Sequence, residues 1–284
     1  MQNKALHFDE MMSPEFNVIS IHGVPRSGTS WLGQIFSSHP DIAYRFQPLF
    51  SYQFKNLINL NSTKDEICDF FDALYQVKDD DFILGKWRDK FDPIELNFNK
   101  NTSQSFLVMK MVRHHHLIEK FLLSDENLKV IGIVRNPCAV INSWLNAPKE
   151  FINNWDVMSE WRYAPSKNLG RIEEYNGFEK WKELALTFLD LEQKNPERFL
   201  LIQYEQLVTD PNSIIENAFY FVGLKMERQV LDYIKSSQSH HSEDANALFK
   251  SQNVKDKWRS ELDQRISGEI INEIHGTVLA RFMI

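Results

Sequence analysis

Apolar and polar positions follow two periods along this chain. Short apolar runs of β type, at 17–22, 106–110, 129–134 and 199–203, stand between longer stretches in which apolar residues recur every three or four positions. The longer stretches predict helices over 29–38, 64–77, 117–123, 137–145, 178–193, 212–222 and 262–282, while 41–50 reads as short and extended. Short apolar strands alternating with helices predict an α/β fold, a parallel sheet covered by helices on both faces. Ligands of such sheets bind beyond the carboxyl ends of the strands. Repeats, low-complexity tracts and a convincing linker are all missing, so one domain over 1–284 is expected.

One stretch departs from the alternation. Trp144, Trp155, Trp161 and Tyr163, with Pro148 and Pro165, fall in a segment of irregular pattern. Residues 146–177 are therefore expected to form an insertion or lid. Its aromatic residues fill the core of that subdomain, offer a stacking wall to a sugar, or do both.

Composition narrows the function classes. Apolar residues make up 43% of the 284, enough for a sizeable core. A net charge of −7 argues against a general nucleic-acid binder. Two cysteines, Cys68 and Cys138, cannot build a disulfide framework and fit a reducing compartment. The first sixteen residues lack the basic and apolar regions of a secretory signal, and no run approaches the roughly 18 apolar residues of a spanning helix. A cytoplasmic location without a membrane span is expected.

The first strand candidate leads straight into chemistry. Val18 to His22 meets Gly23-Val24-Pro25-Arg26-Ser27-Gly28-Thr29-Ser30, which opens into the helical period of Trp31, Leu32, Ile35 and Phe36. Strand, glycine-rich loop and helix start together make an anion cradle. Glycines allow close backbone approach, Ser27, Thr29 and Ser30 add hydroxyl donors, and the helix start adds unpaired N–H groups. Gly23 and Gly28 have the spacing of a nucleotide-binding P-loop. Thr29 stands where the lysine of that motif belongs, and the cation sits inside the loop as Arg26. That arrangement disfavours an NTPase.

Pro25 to Leu32 resembles the 5′-phosphosulfate loop of sulfotransferases that use 3′-phosphoadenosine 5′-phosphosulfate (PAPS). The resemblance extends over most of the chain. Gly33 to Phe36, His39-Pro40-Asp41 and Pro48-Leu49 are similar to the carbohydrate sulfotransferase branch, as is Lys110-Met111-Val112-Arg113. Val130 to Pro137, followed by Ser143, resembles the 3′-phosphate motif. Leu201 to Leu207, Asp210-Pro211, Phe221 to Leu224 and Lys257-Trp258-Arg259 resemble later blocks of the family.

The resemblance implies a three-layer sulfotransferase-type fold and transfer of a sulfonyl group from PAPS, as co-substrate without a metal, to a hydroxyl or amine acceptor, a carbohydrate above all. It implies a cofactor site of Arg26, Ser27, Gly28, Thr29, Ser30, Trp31, Arg135 and Ser143. Arg26 would neutralise the leaving phosphate, and Lys110 either the transferring sulfonyl group or a salt bridge at its strand end. The branch's "E-P" glutamate, the usual candidate base, is Gln47 here, and a carboxamide cannot take a proton at neutral pH. Gln47 is then expected to orient the acceptor. The base would be His115, His114, His116 or His22, with His115 favoured. The three consecutive histidines point in different directions and do not make a metal site. Two other readings stay open. A P-loop kinase of a small molecule would need Mg²⁺ and the missing lysine, and a non-catalytic nucleotide-binding protein is kept open by Gln47.

Overall fold

All four apolar runs become strands, joined by part of the 41–50 segment. The strands are β1 (Asn17–His22), β2 (Ile42–Phe46), β3 (Phe106–Met111), β4 (Lys129–Val134) and β5 (Phe199–Gln203). They form one sheet, ordered β2-β3-β1-β4-β5, with every neighbouring pair parallel. The computed structural model describes residues 16–86, 98–239 and 256–283.

Helices cover both faces. Side chains on successive strand positions point to opposite faces, so Val18, Leu107, Met109 and Val130 share one core with Ile67, Phe121, Ile141, Phe188 and Ile266. Those residues lie on α2 (Lys64–Tyr75), α3 (Ile118–Ser124), α4 (Pro137–Leu145), α7 (Phe178–Lys194) and α12 (Gln264–Ile274). Ile19, Ile21, Val108 and Ile131 share the other core with Leu32, Phe36, Phe219 and Ile234. These lie on α1 (Thr29–Ser37), α9 (Pro211–Val222) and α10 (Arg228–Ser239). Short helices α5 (Val157–Glu160), α6 (Pro165–Asn168), α8 (Tyr204–Thr209) and α11 (Trp258–Glu261) complete the described α-helices.

Two expectations change. The segment 41–50 is strand only as far as Phe46; Gln47 turns at φ 41° into a single 3-10 turn, Pro48–Phe50. The last helix does not run over 262–282. It ends at Ile274, Gly276 adopts φ 73°, and a 3-10 turn follows at Val278–Phe282. The break lets Leu279 and Phe282 bury themselves, with the Phe282 ring edge-on to Trp181 at 6.2 Å. A continuous helix would carry them on past that contact. Among the described residues no helix is long and apolar enough to cross a membrane.

Parallel strands bring all five carboxyl ends to one edge. Gly23 to Gly28 follow β1, Gln47 follows β2, Arg113 to His116 follow β3, Arg135 follows β4 and Tyr204 follows β5. From β1 the chain runs to β2 and back through β3 on one side, then crosses to β4 and β5 on the other side of β1. That divergence opens the crevice in which such sheets hold ligands.

Candidate active site

The loop after β1 is shaped by two left-handed residues, Arg26 (φ 73°) and Gly28 (φ 93°). Ser27 closes it, donating from its backbone N–H (3.2 Å) and its hydroxyl (2.6 Å) to the carbonyl of Val24. Gly28 is the N-cap of α1 and brings no side-chain cap, and the first turn carries no acidic residue. The positive end of α1 is thus left for an external anion.

The end of β4 braces this loop. Asn136 caps α4 by accepting from the N–H groups of Cys138 and Ala139, which fixes the residue before it. Arg135 is 5% exposed and donates from Nη1 to the carbonyl of Arg26 at 3.1 Å. Its guanidinium lies 4.6 Å from the centre of the Tyr204 ring, and its own carbonyl accepts from Trp181 Nε1 at 2.9 Å. Glu205 accepts the Asn136 N–H at 3.0 Å. The loop after β1 and the end of β4 therefore form one braced unit.

Arg26 spans that unit. Its Nε donates to Ser143 Oγ at 3.0 Å, and its Nη1 lies 3.5 Å from Glu150 Oε1. Burial pushes the guanidinium's pKa down, and the Glu150 carboxylate opposes that shift. Ser143 and Arg26, expected at opposite phosphates, are thus direct neighbours. The Trp31 indole turns toward α10 and donates to Ser237 Oγ at 3.0 Å.

Gln47 and the residues of β3 and the turn after it form a second group. Gln47 donates its backbone N–H to the Lys110 carbonyl at 2.8 Å, and its Oε1 accepts from Arg113 Nη1 at 2.9 Å. Lys110 is buried, with its Nζ 4.5 Å from the centre of the Phe46 ring. Arg113 Nε pairs with Glu174 Oε1 at 2.9 Å.

The histidines are not arranged as expected for a base. His22 and His115 share a hydrogen bond between their Nδ1 atoms at 2.9 Å, and Ser20 Oγ lies 2.6 Å from His22 Nε2. Both residues are buried, His115 also edge-on to the Tyr175 ring at 4.5 Å. Burial drives the His22 pKa down to about 3 and that of His115 well below 6.5. Burial also lowers His114 to about 4, and lowers half-buried His116. A base must reach its proton, and a neutral pair locked beneath the sheet edge does not offer that. The geometry gives no support to His115 as the base. Among the described residues no group of three or more His, Cys, Asp or Glu side chains could hold a metal ion.

The 146–177 segment reaches both groups. Glu150 meets Arg26, Glu174 meets Arg113, and the Glu173 carbonyl accepts the His114 N–H at 3.0 Å. Trp144 packs with Phe151, Ala164 and Trp155 in a small core of its own. Trp161 stacks on Phe178, while Tyr163 is exposed. Burial of Trp144 and Trp161 removes both from any sugar-stacking wall. Arg162, paired with Glu179, Glu269 and Glu273, ties the segment to α7 and α12.

The sequence pattern of the sulfotransferase domain matches residues 17–280, which takes in all five strands and both groups of residues. The chain belongs to the sulfotransferase domain family. Members of this family are enzymes, and PAPS is their sulfonyl donor. The sulfotransferase chain is 24% identical to carbohydrate sulfotransferase 1 of Danio rerio, over 91% of its own length and 78% of that protein's. It is 26% identical to carbohydrate sulfotransferase 5 of Mus musculus, over 74% and 64% respectively. Its fold is similar to that of mouse sulfotransferase SULT7A1 complexed with PAP, with a TM-score of 0.53, 15% identity, and 95% of this chain and 87% of that one covered. Retinol dehydratase in complex with androsterone and PAP gives a TM-score of 0.51 at 12% identity, over 93% and 82%.

Sequence reasoning missed four residues of this sulfotransferase site. Glu150 and Glu174 carry no local signal, because both lie in an irregular segment with no motif around them. Tyr204 and Arg113 stood inside quoted motifs, but their contacts with Arg135 and Gln47 depend on the sheet order.

Proposed function

We propose that the protein transfers the sulfonyl group of PAPS to a carbohydrate hydroxyl. PAPS supplies the activated sulfonyl group and a bisphosphate leaving group. The loop from Arg26 to Trp31 fits the 5′ end of such a donor, with its uncapped helix start, its glycine and the hydroxyls of Thr29 and Ser30, while the Ser27 hydroxyl holds the loop shut against Val24. Arg135 and Ser143 fit the 3′-phosphate, Arg135 as a guanidinium suited to bidentate contact. Arg26 stabilises charge on the leaving phosphate and Lys110 charge on the sulfonyl oxygens, so most of the rate comes from positioning and electrostatics. Gln47 orients the acceptor.

The observation that carries this reading is the Arg135 bond to the Arg26 carbonyl, which holds the two phosphate motifs in one rigid frame. The carbohydrate acceptor rests on relatives named carbohydrate sulfotransferases, of which the Danio rerio protein aligns over 91% of this chain. The free thiols of Cys68 and Cys138 support a cytoplasmic location. The test is transfer of labelled sulfate from PAPS to a panel of neutral and acidic oligosaccharides, lipids and phenols. Labelled sugar is the expected product. Label on lipids or phenols alone would remove the carbohydrate, and tight PAP binding with no transfer to any member would leave a nucleotide binder.

A further inference from the structure

Three remote parts of the chain meet at Gln47. It follows β2, Arg113 follows β3, and Glu174 comes from the segment before α7. Glu174 is 7% exposed and holds Arg113 Nε at 2.9 Å; Arg113 Nη1 in turn holds Gln47 Oε1 at 2.9 Å. The Arg113 guanidinium also lies over the Phe50 ring, 4.2 Å from its centre, so its plane is fixed on a second side.

This chain of contacts decides which end of the carboxamide is free. A guanidinium has donors only, so the atom turned toward it must be the amide oxygen. The NH₂ end then points away from Arg113. Gln47 is only half-buried, and among the described residues no protein acceptor takes its Nε2 hydrogens. A glutamate at this position would present a lone pair where Gln47 presents N–H. It would also face Arg113 together with Glu174, two carboxylates for one guanidinium. With glutamine the charges balance and the exposed group is a neutral donor.

We propose that Arg113 and Glu174 are positioning residues that fix Gln47 as a hydrogen-bond donor, so that the acceptor carries an oxygen lone pair beside the hydroxyl that is sulfonated. This inference rests on the reading that Gln47 faces the acceptor. A neutral ring, ether or hydroxyl oxygen suits a neutral N–H, because the Arg113 charge is already matched by Glu174.

The experiment compares Glu174→Gln, Gln47→Glu and the double variant Gln47→Glu/Glu174→Gln in the full chain. Lactose, cellobiose and chitobiose serve as acceptors with PAPS as donor, and PAP affinity and thermal stability are measured alongside. Glu174→Gln is expected to raise the acceptor KM about tenfold or more and leave PAP affinity within about twofold, the size of one charge-assisted contact. The double variant keeps one carboxylate for Arg113, so it should recover the melting temperature but not the acceptor KM. Recovery of both would make Glu174 a structural charge only and overturn the proposal, as would wild-type KM in Glu174→Gln. If no sugar is sulfonated while PAP binds, the acceptor reading falls and takes this proposal with it.

Discussion

Gly28 lies directly against the ring of Tyr204, so close that a Cβ on residue 28 would come within 3.0 Å of two ring carbons. The same ring carries the Arg135 guanidinium 4.6 Å from its centre. One aromatic side chain at the end of β5 thus sets both the height of the phosphate loop and the position of the cation beside it.

Gly28→Ala should be severe for two independent reasons. The φ of 93° is unfavourable for any residue with a Cβ, and the added methyl collides with Tyr204. The expected loss is about 1–3 kcal/mol of stability from the backbone alone, with PAP binding weakened further by displacement of the loop. Urea unfolding and calorimetry measure the two effects separately.

Arg135→Ala should weaken PAP more than adenosine 5′-phosphate, because only PAP carries the 3′ group. A contact of this kind is worth about 1.5–3 kcal/mol. Some loss for both ligands is also expected, since Arg135 Nη1 braces the Arg26 carbonyl. Equal losses would place the guanidinium away from the 3′-phosphate. PAP should also bind equally well with and without EDTA, as both phosphates are held by protein groups.

Glu150→Gln should tighten PAP binding. The Glu150 carboxylate lies 3.5 Å from Arg26 Nη1, on the cation proposed for the leaving phosphate. An anion entering the loop has to compete with it. The expected gain is several-fold at low salt and shrinks as ionic strength rises. Calorimetry at two salt concentrations checks this, and weaker binding in the variant would show that Glu150 positions Arg26 instead.

The buried histidine pair predicts an acid-sensitive fold. His22 stays neutral down to about pH 3 in the folded protein but takes up a proton near 6.5 when unfolded. Its contribution is complete above about pH 6.5 and is lost as pH falls toward 3, at about 1.4 kcal/mol per pH unit. His115, also depressed by burial, adds in the same direction. His22→Gln should flatten the pH dependence of the urea midpoint between about pH 6 and 4. Neither histidine should give the transfer rate a limb near pH 6–7; such a limb, lost on substituting His115, would restore it as the base.

Local pattern alone determined a good deal of this protein. The apolar run at 17–22, the glycine loop and the period after Ser30 specify strand, turn and helix within about twenty residues. Arg135 ends the apolar run at 129–134, and parallel strands bring that end to the same edge as the glycine loop. The last helix was overextended because the period continues through Leu279 and Phe282, and only their burial against α7 shows why Gly276 interrupts it.

What tertiary structure decided is which side chains are partnered and which are buried. His115 follows a strand end, as a site residue should, yet the packing of Tyr175 and His22 seals it in. Gln47 looked like a lost base, and only Arg113 and Glu174, 66 and 127 positions further on, fix which end of its amide is free. The physical reason is range. Secondary structure follows from the period of neighbouring residues, whereas protonation state and hydrogen-bond direction depend on solvent exclusion and on partners that only the folded sheet brings together.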